Sequence, residues 1–590
     1  MTAAGTRTEN AMFTKVRLLL TLHASVQQDG LSGFKQVFPT KLCSSRVFCT
    51  PPLPVQQAPR IMPTGTPSKL FLKLLPLAAL ALLAAAPATA ADAKGIVYVD
   101  TNHNGQRDAG ESGLAGVRVS NGREVVVTDG DGRYSIPVDD DTIIFVIKPS
   151  GYRPMIDKLN LSRFYYIHKP NGSPPQDFPG VPPTGPLPPS IDFPLTPVEE
   201  PSAFDVIFFG DTQPRDQKEI DYIAHDVVEE LSGVRAAFGV TLGDVLFDDL
   251  SLFDSFNRTI SHIGVPWYNV LGNHDINYAS EDDELSDETW ERVYGPPYYS
   301  FDYGPVHFIA VDDVHWMREG DRKLYRTGLS EDQLAFIEND LKHVPQDRLV
   351  VAMMHIPLVK STPWIEPRRE RLLRILETRE HCISLAGHTH HHEHVLMNAA
   401  DGWKGARPHH HIINVTVCGA WWSGKPDEHG IPHTMCADGT PNGYTIMHFD
   451  GTKYLLDYKA ARRDASEQMR ITAPEAFVIG DTAAAFHANV FNAIPGAVVE
   501  WRVGDENWQE MTKCEGEPDP LFQILFDEEQ PYKDKLPWRK LAKPMACPHL
   551  WKADLASLKT PGTHRLQVRA TNPNGQVLSG DRIIRVYRGK

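Results

Sequence analysis

The sequence predicts a multidomain α+β chain, with a central domain of layered helices and strands and an all-β module on either side. Three observations carry this reading. Residues 203–450 repeat short apolar runs with amphipathic stretches between them, the pattern of an α/β layered domain. Residues 95–168 and 455–590 show only short strand-like runs separated by turn residues. A chain of 590 residues is also too long for one core and calls for three or four domains. The 47 prolines and 43 glycines favour turns and extended connections over long helices. The net charge of −16 is spread along the chain, and no basic cluster argues for a nucleic-acid partner.

Residues 62–90 read as a cleaved signal peptide. Lys69 and Lys73 precede an apolar stretch from Leu74 to Ala86, and Ala88-Thr89-Ala90 supplies small residues for cleavage near Ala90-Ala91. That stretch is short for a membrane span and no other span is apparent, so the mature chain is expected to be exported, periplasmic or secreted from a bacterial cell, with no transmembrane segment. Residues 1–61 keep no sustained period. They are expected to be disordered or, with Met62 as the true start, not native.

The N-terminal module, 95–168, is expected to be a small β-sandwich. Its first strand-like run, Gly95 to Val99, leads into Asp100, Asn102, Asn104, Gln106, Asp108 and Glu111, with Gly105 at the sixth position. Oxygen ligands at that spacing match a calcium loop. Strands rather than helices flank it, which argues against an EF-hand domain. The functional reading is a structural Ca²⁺ site; the alternative is an Asn/Gly-rich turn that binds nothing. Residues 169–201, with three Pro-Pro pairs, read as an extended linker.

In the central domain, apolar runs are expected as strands at 206–209, 238–242, 267–270, 306–311, 349–354, 383–386, 412–417 and 444–449. Ile220, Ile223, Val227, Val228 and Leu231 keep a helical period, and Ser330 to Gln333 reads as a capping box before another helix. Residues 455–590 read as a C-terminal β-sandwich. The five cysteines beyond the signal are Cys382, Cys418, Cys436, Cys514 and Cys547; Cys418–Cys436 and Cys514–Cys547 are plausible disulfides in an exported chain, although sequence fixes no connectivity.

Chemistry concentrates where these runs end. Gly210-Asp211-Thr212-Gln213, Gly243-Asp244, Gly272-Asn273-His274-Asp275, Met354-His355 and Gly387-His388-Thr389-His390 each follow an apolar run. Each ligand-type side chain would then stand at the C-terminal end of a strand. Any one of these could be a turn residue ending a strand, but five in this order resemble the calcineurin-like metallophosphoesterases over roughly residues 203–450. The three-part organisation is similar to a bacterial subgroup of that family with β modules at both ends.

The resemblance implies a central four-layer α/β/β/α sandwich and two divalent metal ions (Mn, Fe, Zn or Mg). It places Asp211 and His390 on the first metal, Asp244 between the two, and Asn273, His355 and His388 on the second. His274 would give a hydrogen bond or proton to the leaving oxygen, and Asp275 receives no role. Two positions depart from the family pattern. Gln213 stands where a histidine is usual and could ligate through its amide oxygen or a water, which favours Mn²⁺ or Mg²⁺ over zinc. Phe247 stands where many members have a carboxylate that pairs the catalytic histidine, with Asp248 one residue further on. The implied reaction is hydrolysis of phosphate mono- or diesters by a hydroxide bridging two metals, on a phosphorylated small molecule or a cell-envelope substrate. The rival is a surface or periplasmic binding protein built on a degenerate phosphoesterase scaffold.

Trp421, Trp422, Asn442 and Tyr444 are further candidates for substrate contact, with Tyr278, His315 and Trp316 as loop candidates. His391, His392, His394 and His409 to His411 read as surface histidines. The sequence contains no serine-hydrolase elbow and no P-loop, and it gives no indication of oligomeric state.

Overall fold

The computed structural model describes residues 91–590 except Asp321, His433, Thr482, Ala483, Lys533 and Lys590. The expected signal peptide and the segment before it lie outside the described residues.

Two sheets form the central domain. The first has five strands in the order Trp267–Val270, Phe238–Leu242, Ala203–Phe209, Gly443–Asp450, Lys453–Ala460. Its first three strands are parallel, and Gly443–Asp450 returns antiparallel. The second has six strands in the order Tyr299–Tyr303, Val306–Ala310, Leu349–Met353, Cys382–Ala386, His409–Ile413, Glu393–Met397. Its four inner strands are parallel and its edges antiparallel. The inner strands are buried on both faces, which explains their continuous apolar runs.

The sheets meet through aromatic rings. Phe238 packs 5.3 Å from Phe301 and 5.2 Å from Phe308, while Phe204 and Phe308 both contact Phe449. On the other face of the five-stranded sheet, Ile207 and Phe209 pack with Ile220, Ile223, Phe253 and Phe256. The first of these helical segments runs as α-helix over Gln217–Ile223, widens to a π-helix over Ala224–Val228, and ends at Glu229–Leu231. The helices Glu331–Leu341 and Glu366–Leu376 contribute Leu334, Ile337, Leu372 and Leu373 to the core that holds the six-stranded sheet. Only half of the expected capping box forms. Ser330 Oγ accepts from Gln333 N, but the Gln333 amide turns away to pin Asp312 through its backbone N and O.

Two domain boundaries move. The Pro-rich segment is more than a linker: it ends in the strand Phe193–Pro197, which pairs parallel with Ala91–Val99 and closes a four-stranded sheet of the N-terminal module. The strand lies inside that sheet, paired on its other side with Tyr152–Arg153, and it carries buried Phe193 and Leu195. Likewise Lys453–Ala460 pairs along its whole length with Gly443–Asp450, so the central domain runs on to about residue 460. Beyond it, sheets of four and five strands build the C-terminal module.

All five described cysteines are free thiols, so neither expected disulfide is present. Cys418 Sγ instead lies 3.7 Å from His390 Nδ1, and Cys436 Sγ lies 3.4 Å from Thr416 Oγ1. The expected surface histidines are also placed otherwise. His391, His392, His394, His409 and His411 are buried, in contact with polar partners that a purely local reading could not supply.

Candidate metal centre

The parallel strands of both sheets end at the same place, the usual position for a site in an open α/β sheet. Asp211 follows Ala203–Phe209, Asp244 follows Phe238–Leu242, and Asn273 follows Trp267–Val270; His355 and His388 leave the second sheet. Glycine before a ligand is a steric need. A Cβ on Gly387 would stand 2.5 Å from Asp211 Oδ1, and one on Gly243, whose φ is +83°, would stand 2.4 Å from the His355 ring. Strain gathers here too. Gln213, Asp244, Asp248, His388, His390, Trp421 and Trp422 all hold positive φ, a conformation non-glycine residues keep only when their surroundings enforce it.

Nitrogen and oxygen ligand atoms converge here from five strand ends. His390 Nδ1 donates to Gly419 O at 2.6 Å, leaving Nε2 with a lone pair. That lone pair faces Asp211 Oδ2 at 3.2 Å, and this buried oxygen has no hydrogen-bond donor, since Oδ1 already accepts from His388 N. His355 Nδ1 likewise donates to Leu242 O at 3.0 Å. Its Nε2 therefore faces Asn273 Oδ1 at 3.1 Å, Asp244 Oδ1 at 3.2 Å and His388 Nδ1 at 3.2 Å. Lone pairs brought this close in a buried site repel unless a proton or a metal cation lies among them, and the carboxylates that draw a proton onto His355 would draw a metal to the same nitrogen. The donor set fits two divalent cations, one at Asp211, His390 and Asp244, the other at Asp244, Asn273, His355 and His388. Asp244, His355 and His388 have one ligand atom each within 4.8 Å of one another.

Charge follows the same geometry. Burial opposes ionisation of Asp244, but His355 and His274 override it and hold the carboxyl well below its ordinary value. Burial also opposes a charged His355, and Asp244 and Asp211 nevertheless raise it to about 10. Burial and the neighbouring His355 lower His388 to about 4.

Gln213 does reach the site, though its amide nitrogen donates to Asp244 Oδ2 at 2.5 Å while Oε1 lies 3.8 Å from Cys418 Sγ. In this pose it is a donor to the shared carboxylate and not an oxygen ligand. His274 lies at the rim, its Nδ1 donating to Asp248 Oδ1 at 2.6 Å and its ring stacked 4.3 Å from Phe247. The carboxylate missing at position 247 is thus supplied by Asp248, which sequence reasoning left without a role. Asp275 fixes the loop by accepting from Val245 N, Leu246 N and Gly272 N, and burial with Asp244 nearby raises it to about 8. Asp313, also missed, accepts from Ile356 N at 2.9 Å and so holds the turn that carries His355. Its signal was a second aspartate after the run 306–311.

The substrate-contact candidates separate. Trp421 is 37% exposed and lies 4.5 Å from the His390 ring, at the mouth of the site. Trp422 is buried and donates from Nε1 to Thr212 O. Asn442 binds Asp226 and Val417 O, and Tyr444 packs on Phe209, so both sit in the interior away from the metal residues. Trp316 is buried, His315 binds Asp283, and Tyr278 O–H donates to the Asn273 carbonyl. Arg215 was not foreseen; its guanidinium lies 4.1 Å from the Phe247 ring centroid and donates to Trp421 O at 3.3 Å.

The calcium-loop residues do cluster. Asp108 Oδ2 accepts from the amides of Asn102 and Asn104, Asp100 accepts from His103 N and Gly105 N, and Glu111 accepts from Thr101 N and Asp108 N. Gln106 joins the cluster through its backbone N, which donates to Asn104 Oδ1.

Family models agree with this arrangement. "Calcineurin-like phosphoesterase" matches residues 204–392, "N terminal of Calcineurin-like phosphoesterase" residues 101–180, and "C terminal of Calcineurin-like phosphoesterase" residues 411–578. The chain belongs to the calcineurin-like phosphoesterases. A curated relative, a probable glycerophosphodiester phosphodiesterase GpdQ of Arcobacter nitrofigilis, is 29% identical over 150 residues, 24% of this chain and 52% of that protein. The chain thus spans about half the length of that relative. Among solved structures, purple acid phosphatase PPD1 from yellow lupin (Lupinus luteus) seeds aligns with 59% of this chain and 69% of its own at 14% identity, with a TM-score of 0.32. Murine CRIg aligns with 21% of this chain and 98% of its own at 13% identity, with a TM-score of 0.11. In this calcineurin-like phosphoesterase the C-terminal family model takes in the Trp421 loop and the strand Gly443–Asp450, so that module and the central sheet are intertwined in sequence.

Proposed function

We propose that the protein is an exported, metal-dependent hydrolase of phosphate esters, acting on phosphodiesters of a small molecule or of the cell envelope. The observation that carries the reading is the convergence of ligand atoms from Asp211, Asp244, Asn273, His355, His388 and His390, with His274 at its edge. Divalent cations held there would supply Lewis acidity, lowering the pKa of a water and neutralising charge on the phosphoryl oxygens. The chain's own residues do the rest. Asp248 holds His274 by Nδ1 and leaves Nε2 free to deliver a proton to the leaving oxygen. Gln213 steadies Asp244, and Asp275 and Asp313 hold the loops that present Asn273 and His355. Arg215, beside Phe247 and Trp421, is placed to meet an anionic substrate at the mouth.

The preference for a diester rests on the phosphodiesterase relative. The architecture belongs to the same proposal: four layers in the central domain, flanked by two β-sandwich modules, with a calcium ion at Asp100 to Glu111. Hydrolysis of bis-p-nitrophenyl phosphate in Mn²⁺ tests the core of it. Wild type should turn over the diester faster than p-nitrophenyl phosphate. His274→Ala should lower kcat by about 10²–10⁴-fold and retain its metal, whereas Asp244→Asn should lose bound metal together with activity. Full activity in Asp244→Asn would end the proposal.

A further inference from the structure

A second set of metal-ligand side chains lies in the C-terminal module. His487 is on the strand Ala485–Val490, which pairs with Leu550–Asp554, itself paired with Thr512–Lys513. The register sets His487, Lys552 and Thr512 in one row, and Asn489, Leu550 and the residue after Lys513 in the next row of the same face. Cys514 continues that row, its N donating to Leu550 O at 2.8 Å. The chain then turns back, and Glu517 O accepts from Cys547 N at 2.8 Å, which brings the Glu517 carboxylate over the same face. One ligand atom from each of His487, Cys514 and Glu517 lies within 4.8 Å of the others, and His487 Nε2 is 3.7 Å from Glu517 Oε2.

We propose that His487, Cys514 and Glu517 form a structural site for a borderline-soft divalent cation of the zinc class. Sulfur, imidazole and carboxylate together suit zinc, and Mg²⁺ and Ca²⁺ would reject the thiol. Binding replaces the Cys514 proton with the cation, so one proton is released and no bond to carbon changes. Glu517 is half exposed, leaving the fourth position to water. The site would pin the start of a long insert. Residues 514–547 carry the helix Pro520–Glu529 and then reach the loop beside Trp421, where Arg539 O accepts from Gly424 N and Met545 N donates to Ala437 O. A cation here would therefore brace the wall next to the proposed catalytic mouth without touching it. The competing fate of Cys514 is a disulfide, since Cys547 packs with it and Leu550 in one small cluster.

Cobalt(II) titration of the full chain, with its manganese already loaded, tests this. A thiolate-to-cobalt charge-transfer band should appear, stay in Cys418→Ser, and vanish in Cys514→Ser. Zinc content should fall by one equivalent in Cys514→Ser. Glu517→Gln, at a half-exposed position that leaves the fold alone, should bind zinc about tenfold more weakly, the scale of losing even an outer partner. Turnover of the phosphate ester should stay within about twofold in both variants, a shift worth under about 0.5 kcal/mol. A missing band, a band that survives Cys514→Ser, unchanged zinc affinity in Glu517→Gln, or a disulfide-linked Cys514–Cys547 peptide in an unreduced digest would each overturn the proposal.

Discussion

His274 shows how one neighbour sets a residue's task. Its imidazole is clamped by Asp248 on one nitrogen and by the face of Phe247, so rotation is blocked while Nε2 stays open. Burial opposes its charged form, but Asp244 and Asp248 raise its pKa above the ordinary value. Asp248→Asn keeps the shape and removes the charge. It should lower kcat by about 10- to 100-fold with KM little changed, less than the ~10²–10⁴-fold expected for losing the acid itself. Steady-state kinetics on the diester decide it; a KM effect alone would make Asp248 a substrate contact. Asp211, Asp244, Asn273 and His388 each follow a glycine at a strand end, and both features leave local marks in the sequence; His355 follows Met354 and is marked by its strand alone. Asp248 was only half legible: the loop adopts positive φ at residue 248, and that bend brings the later carboxylate to His274. Trp421 and Trp422 were not separable in sequence. Two adjacent left-handed residues point one ring at His390 and the other into the core, and no periodicity announces that.

At the scale of elements, the parallel strands were readable as unbroken apolar runs, whereas partners distant in sequence were not. The clearest case is the strand Arg118–Ser120 of the N-terminal module. Arg118 is almost wholly buried and donates to Asp340 Oδ1 at 2.5 Å and Asp302 Oδ2 at 2.6 Å. Those carboxylates also hold His307 and Ser300, which ties helix Glu331–Leu341 and two strands of the six-stranded sheet to the module. Arg118→Leu would leave two carboxylates buried without their cation. A loss of about 3–5 kcal/mol is expected, read as an earlier denaturant midpoint in urea. A cost below about 1 kcal/mol, the range of an exposed pair, would show that the carboxylates find other partners. Composition could not reveal this, because Arg118 lies more than 180 residues from either partner and looks like any polar residue on an alternating strand.

The same limit operates between the central domain and the C-terminal module. Tyr454 O–H donates to His410 Nδ1 at 2.7 Å, His410 Nε2 to His394 Nδ1 at 2.8 Å, and His394 Nε2 to Asn492 Oδ1 at 2.8 Å. Asn492 belongs to the C-terminal module and returns a bond to Leu456 O at 2.7 Å. Every donor in this chain meets an acceptor only while the rings stay neutral. Burial accordingly lowers His394 to about 4 and His410 well below its ordinary value, and it does the same to the neighbouring His409 and His411 on Ser384, at about 4 and about 3. The unfolded chain takes up protons at the ordinary imidazole value of about 6.5. Between that pH and about 4 the unfolded state therefore binds more protons than the folded one, and stability falls as pH falls. Each group contributes at most about 1.4 kcal/mol per pH unit. The share of stability these histidines supply should drop between pH 7.5 and 5, so His394→Gln, which removes one of them, should lose less melting temperature over that range than wild type does, even if it melts lower at pH 7.5. Parallel slopes for variant and wild type would mean that His394 titrates freely in the folded protein and that this bonded chain does not couple the modules to pH.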